Sequence, residues 1–270
     1  MDYIKITFTE LQPEQREILI AQLADAGYEG FEERDNSLDA FINTKGFDAH
    51  ILNEISFKYQ TPYTKEKIAE TNWNQIWESN FEPVVVDDFV AVRAGFHKPI
   101  TTTKFEIIIT PKMSFGTGHH ATTYMMIWLM KDIDITGKSV LDFGTGTGIL
   151  AILAERSGAK NILAIDNDDW SIANAEENFA KNNCNKIILK KASDTTSERK
   201  FDIILANINK NVILENLVLL AEQLNKGGQI LLSGLLYDDK EEVLRIAADL
   251  RLTLRKELIR NNWIALQLQN

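Results

Sequence analysis

Residues 3 to 9, YIKITFT, set apolar Ile4, Ile6 and Phe8 against polar Lys5 and Thr7, the alternation of a half-buried strand. A helix follows in which Pro13 suits the first turn, Ile18, Leu19 and Leu23 form the apolar stripe, and Gly27 is placed to end it. YEGFEE and LDAFIN are two short strand candidates, and residues 47 to 55 have helical character. This β-α-β-β order with a further helix predicts a small α+β domain, ferredoxin-like, over residues 1–62.

The pattern changes after Pro62. Between residues 64 and 80, Ile68, Trp73, Ile76 and Trp77 recur at helical spacing among polar residues, which predicts a connecting helix in a linker over 63–80. PVVVDDFVAVRA and FEIIITP then read as strands leading into a larger domain, 81–270. From residue 120 onward helices and short apolar strands alternate: ATTYMMIWLMKD, SVLDF, ILAILAERSG, NILAID, WSIANAEENFAKNN, KIILKKA, FDIILANI, NVILENLVLLAEQLNKGG, QILLSGLL and a helix over 238–249. Apolar strands separated by helices imply a parallel sheet covered on both faces. LTLRKELIR and WIALQLQ, joined only by Asn261 and Asn262, predict a closing hairpin that adds an antiparallel strand.

Composition narrows the class. The chain has 270 residues, of which 44% are hydrophobic, with no continuous apolar run long enough to span a bilayer and no basic-then-apolar start, so a cytosolic globular protein is expected. Its one cysteine, Cys184, has no partner for a disulfide. The net charge of −10 argues against general nucleic-acid or phosphate-backbone binding. Residues 1 to 62 hold 12 acidic and 5 basic residues, so the front of the chain carries most of the imbalance; such a face either steers a basic partner or is simply a solvated surface.

The candidate chemistry begins at LDFGTGTGIL, residues 141 to 150, where a strand turns into a helix. Ligands of open α/β sheets sit at such a turn. Gly144, Gly146 and Gly148 let the backbone approach a ligand, but Ile149 stands where a dinucleotide fingerprint wants glycine or alanine, and no phosphate-loop lysine follows. Asp166 ends the next strand, where a carboxylate can accept from both hydroxyls of a ribose. Asp142 is placed either to orient the loop or to face a ligand ammonium. The helix N-terminus suits a ligand carboxylate, and S-adenosylmethionine combines ammonium, carboxylate and ribose; a purely structural turn is the other reading of the loop. Asn207 follows a later strand beside the same crevice, placed to orient an amine acceptor. FGTGHHATT, residues 115 to 123, is a second glycine-bearing turn, a wall or lid with Thr122 and Thr123 as hydroxyl contacts. The adjacent His119 and His120 should point different ways, so no metal site is assigned to them.

With these residues assembled, the chain resembles the family of ribosomal protein L11 methyltransferases over nearly its whole length, through NWNQIWESNFEP, SFGTGHHATT, LDFGTGTGILAI, AIDND, LANI and LLSGLL. The resemblance implies a seven-stranded Rossmann-like class I methyltransferase sheet with a small N-terminal domain that recognises ribosomal protein L11, a basic protein. It implies S-adenosylmethionine contacts from Thr123, Gly144, Asp166 and Asn207, to which the loop position adds Gly146, and successive methylation of lysine side chains and an N-terminal amine. Asn207 is the candidate catalytic residue, orienting the amine, and no general base is evident. A monomer is expected, and contact with ribosomal RNA is compatible with the resemblance. TPKMSFGTG lacks the family's Asp-Pro-Gly approach, Thr145 stands where cysteine is usual, and ANINKN departs from the usual acceptor-side sequence. Two other readings are a class I methyltransferase acting on RNA or a small amine, and a non-catalytic module with a vestigial cofactor fold.

Overall fold

The computed structural model describes residues 3–34, 36–68, 81–111, 118–194 and 199–270. It divides into two compact units, Met1–Asn80 and Phe81–Asn270.

In the first unit β1 (Tyr3–Thr9), α1 (Pro13–Asp25), β2 (Gly30–Arg34), β3 (Ser37–Asn43), α2 (Ala49–Tyr59) and β4 (Tyr63–Ile68) build a four-stranded sheet in the order β2-β3-β1-β4, with every neighbouring pair antiparallel. This is the ferredoxin-like arrangement. The alternation in β1 buries Ile4, Ile6 and Phe8 against Leu19 and Leu23 of α1 and Leu52 and Ile55 of α2. Truncating a fully buried side chain such as Phe8 to alanine would cost about 3–5 kcal/mol.

Residues 63–68 correct the expected start of the linker helix. They form β4, registered from Phe8↔Tyr63 to Tyr3↔Ile68. The physical reason is nonlocal: YTKEKI carries no apolar helical stripe, and β1 offers it a row of unpaired backbone groups. The rest of the expected connecting helix, including Trp73, Ile76 and Trp77, lies outside the described residues. The second helix runs over 49–59, later than the 47–55 pattern suggested, because Asp48 caps it by accepting from His50 N at 2.7 Å.

The second unit opens with β5 (Val84–Val86), β6 (Val90–Ala94) and β7 (Phe105–Ile109), which make a three-stranded sheet of their own. After α3 (Ala121–Lys131) come β8 (Ser139–Phe143), α4 (Ile149–Arg156), β9 (Asn161–Asp166), α5 (Asp169–Lys181), β10 (Ile187–Lys191), β11 (Phe201–Asn207), α6 (Lys210–Glu222), β12 (Leu224–Leu236), α7 (Lys240–Asp249), β13 (Thr253–Arg260) and β14 (Trp263–Gln269). Their seven strands run β10-β9-β8-β11-β12-β14-β13, with only β14 antiparallel to its neighbours. Strand alternation sends Val140, Ile203, Leu205 and Leu231 to a core shared with α3, α4 and α5, and Leu141, Phe143, Ile204 and Leu232 to one shared with α6 and α7. Both faces are therefore covered, as the apolar strands require. Asn261 and Asn262 have φ of 50° and 64°, the left-handed pair that a tight two-residue hairpin needs.

One device was absent from the sequence reading. The free edge of β7 is satisfied by asparagine side chains of α5 and of its C-terminal cap: the cap residue Asn182 accepts from Ile108 N at 3.0 Å and donates to Ile108 O at 2.6 Å. One turn earlier, Asn178 accepts from Thr110 N at 2.7 Å and donates to Thr147 O, in the glycine loop, at 2.8 Å. These i, i+4 amides replace a missing neighbour strand and tie the small sheet to the loop.

Candidate active site

The order of the sheet reverses between β8 and β11, and a crevice opens at their carboxyl ends. β8 leaves the sheet at Phe143 and turns at once. Gly144 N and Thr145 N both donate to Ile165 O of β9 at 2.9 Å, pinning the turn to the neighbouring strand. Gly144 has a φ of +75°, and a Cβ there would lie 2.2 Å from Ile208 Cγ2. Only glycine fits both the backbone and the space.

Beneath the turn lies Asp142, 1% exposed. Its Oδ2 accepts from Thr145 Oγ1 at 2.5 Å and from Ala151 N, in the first turn of α4, at 3.2 Å. Burial pushes its pKa up to about 7, and the two hydrogen bonds offset only part of that cost. Of the two roles open to Asp142, the structure supports orientation of the loop: the carboxylate braces loop and helix together and does not line the cavity. It also occupies Ala151 N, one of the helix N-terminal groups expected to meet a ligand. Thr145 is a stronger donor to this carboxylate than a thiol would be.

The crevice encloses a cavity of about 440 Å³, within the range of small-molecule sites. On the side of β8, β9 and β10, Gly144, Gly146, Asp166, Asn167, Ser171 and Ser193 line it. Asp166 Oδ2 accepts from Gly146 N at 2.8 Å and Oδ1 from Asp168 N at 3.1 Å, so the carboxylate is held at the loop by two backbone donors. On the side of β11, β12 and β14 stand Asn207, Ile208, Gly234, His120 and Trp263. A Cβ on Gly234 would fall 2.0 Å from Ile208 O; this glycine allows β12 to bulge past the end of β11.

Asn207 ends β11 opposite Ser233. Its Nδ2 donates to Thr123 Oγ1 at 3.2 Å. Its Oδ1 is buried and has no hydrogen-bond partner among the described residues. A buried amide oxygen left unpaired costs stability unless a ligand donates to it.

The predicted residues thus separate. Gly144, Gly146, Asp166 and Asn207 line one cavity, while Thr123 is fully buried behind it and reaches the site through Asn207. Thr122 is also buried, with its Oγ1 2.7 Å from His120 Nδ1. The two histidines diverge: His119 Nε2 meets Glu82 O at 2.7 Å, and the His120 ring packs edge-to-face on Trp263 with centroids 4.7 Å apart. His120, Trp263, Asn167, Ser171 and Ser193 are cavity residues that sequence reasoning missed. The turn at Asn261–Asn262 was the one available signal for Trp263, since it brings the following residue back beside β12.

The family model described as ribosomal protein L11 methyltransferase (PrmA) matches residues 6–270. A protein named ribosomal protein L11 methyltransferase from Porphyromonas gingivalis is 40% identical over 259 residues, covering 93% of this chain and 89% of its own. One of the same name from Phocaeicola vulgatus is 36% identical, covering 99% of both chains. Among solved structures, ribosomal protein L11 methylase from Lactobacillus delbrueckii subsp. bulgaricus superposes with a TM-score of 0.65 at 30% identity, covering 70% of this chain and 98% of that one.

Proposed function

This chain belongs to the ribosomal protein L11 methyltransferase family, and on that premise we propose that it uses S-adenosylmethionine to methylate lysine side chains and the N-terminal amine of ribosomal protein L11 in the cytoplasm. The observation that carries the chemical part is the unpartnered Oδ1 of Asn207 on the same cavity as Asp166 and the glycine loop. A nucleoside that bears an ammonium and accepts backbone contact suits that set of groups.

The residues divide the work as follows. Asp166 accepts from the ribose hydroxyls, and Gly144 and Gly146 bring main chain against the ligand. Thr123 fixes the amide of Asn207, so that Oδ1 presents an acceptor to an amine. When bound, the sulfonium supplies an electrophilic methyl carbon. A lysine ammonium, with an ordinary pKa near ~10.4, has no lone pair and must lose its proton first. Burial in the cavity lowers an amine pKa, and an amide oxygen does not stabilise the ammonium as a carboxylate would. Asn207 therefore orients the amine without holding its proton, which leaves to solvent. The acidic first unit is assigned the recognition of the basic substrate protein; its edge strand β2 presents Glu32 and Glu33.

Intact-mass analysis of ribosomal protein L11 incubated with the enzyme and S-adenosylmethionine tests this reading, with Asp166→Ala as control. Mass gains in multiples of one methyl group that vanish in the control are expected. An unmodified protein beside saturable cofactor binding would reject L11 as substrate while keeping the cofactor site. An Asn207→Ala variant with full turnover and unchanged cofactor affinity would remove Asn207 from the mechanism.

A further inference from the structure

We infer that Trp263 and His120 form an aromatic seat for the alkylammonium group being methylated, and that this seat retains the partly methylated amine for the next transfer. The inference rests on the amine-methylation reading above. Both rings line the cavity on the side that holds Asn207, and they meet edge-to-face at 4.7 Å and 71°. Trp263 is half-buried and fixed by its backbone: as the first residue of β14 it pairs with Leu236 and Arg260, and the turn before it is held by Tyr237 N donating to Asn262 O at 2.9 Å. The same hairpin already holds one cation on an aromatic face, with Arg260 3.8 Å over the Tyr124 ring.

Charge decides what this side of the cavity can do. Among the described lining residues the one carboxylate is Asp166, which ends β9, on the far side of β8 from β11 and Asn207, and accepts from Gly146 N. A carboxylate beside the acceptor would raise the pKa of the amine and keep it protonated, with no lone pair to attack. An aromatic face attracts the cation more weakly, and gains roughly 2- to 30-fold in affinity without fixing the proton.

Successive transfer needs that kind of contact. In each transfer the nitrogen lone pair forms the N–C bond, the C–S bond of the sulfonium breaks with its electron pair kept by sulfur, and the new ammonium loses a proton to solvent before the next attack. Each round removes an N–H that Asn207 Oδ1 could accept and adds a methyl group. The hydrogen bond therefore weakens as the rounds proceed, while the contact with the rings grows. The trimethylated nitrogen has no lone pair, so transfer ends there.

Two measurements test the seat. In the first, the mono-, di- and trimethyl products made by wild type, Trp263→Ala and Trp263→Phe are compared at equal total turnover. The alanine variant should show at least a fivefold smaller trimethyl fraction, with monomethyl product accumulating and affinity for S-adenosylhomocysteine within twofold of wild type. The phenylalanine variant should keep its trimethyl fraction within threefold. An unchanged distribution in Trp263→Ala, or equal loss in both variants, overturns the inference. The second measurement needs no protein substrate: the indole N–H resonance of Trp263, assigned by its absence from Trp263→Phe, should shift on titration with N-acetyl-trimethyllysine amide and not with its neutral tert-butyl isostere. No shift, or the same shift with both, overturns the seat. A shift with the cation alone, in an enzyme that leaves L11 unmodified, supports the seat and rejects the substrate reading.

Discussion

Replacing Asp142 by asparagine should stabilise the protein, and by an amount that grows with pH. The wild-type carboxyl is fully buried, and burial raises its pKa from 3.8 to about 7 against the lowering influence of Thr145 and Ala151 N. In the unfolded chain the group ionises near 3.8. Between those two values the folded state binds more protons than the unfolded one, so this group's contribution to stability falls as pH rises. The contribution is complete below the unfolded pKa, is lost progressively up to the folded pKa, and levels off above it. At 1.36 kcal/mol per pKa unit the whole window is worth roughly 4 kcal/mol, of which about 2 kcal/mol lies between pH ~5 and neutrality. Asparagine keeps an oxygen for the Thr145 hydroxyl and the Ala151 amide, which both use the same carboxylate oxygen.

The measurement is urea unfolding of wild type and Asp142→Asn at several values from pH ~5 to ~8.5, with amide exchange of peptides spanning 139–156 reporting the unit that contains the loop. Other titrating groups cancel in the difference between the two proteins. That difference should rise by about 2–3 kcal/mol across the range and flatten above neutral pH. A flat difference would refute the argument, because Asp142 would then ionise as easily folded as unfolded. A difference of opposite slope would show that Thr145 and the α4 N-terminus stabilise the anion by more than burial costs it.

Three further perturbations follow from single contacts. Gly144→Ala puts a Cβ 2.2 Å from Ile208 Cγ2 at a φ of +75°; a loss of about 2–4 kcal/mol is expected, seen as a lower urea midpoint, with at least tenfold weaker S-adenosylmethionine binding by calorimetry. Thr123→Val leaves the buried Asn207 Nδ2 without its acceptor, which should cost about 1–3 kcal/mol in thermal unfolding and lower turnover even though Thr123 does not line the cavity; unchanged turnover would detach Thr123 from the site. Asn178→Ala removes the acceptor of Thr110 N and the amide donor that reaches Thr147 O in the glycine loop, and should cost about 1–3 kcal/mol and speed amide exchange in that loop.

The larger unit was legible because its signals are local. Each buried strand is a short apolar run, each helix a periodic one, and Asn261–Asn262 can hardly be anything but a hairpin turn. β4 was not legible, since TKEK has no apolar alternation and becomes a strand only because the edge of β1 lies beside it. The asparagines of α5 read as the solvent face of an amphipathic helix. They are buried because the edge of β7 lies against that face and requires donors and acceptors, a demand that arises more than sixty residues earlier in the chain.

The same distinction divides the site. The loop end could be read from the sequence because the turn after a first parallel strand and the end of the second are adjacent in any sheet of this type, so Gly144, Gly146 and Asp166 fall together by rule. The acceptor end obeys no such local rule. His120 and Trp263 are separated by most of the second unit, and they meet only because β14 inserts between β12 and β13 while α3 packs on the same part of the sheet. Asn207 is legible only in part: its position at the end of β11 is predictable, but its hydrogen bond to Thr123 and its unpaired Oδ1 depend on how α3 packs. On the proposed function, the cofactor contacts are thus set by strand order, and the acceptor contacts by the packing of α3 on the final hairpin. Substitutions that shift that hairpin should change acceptor choice before they change cofactor affinity.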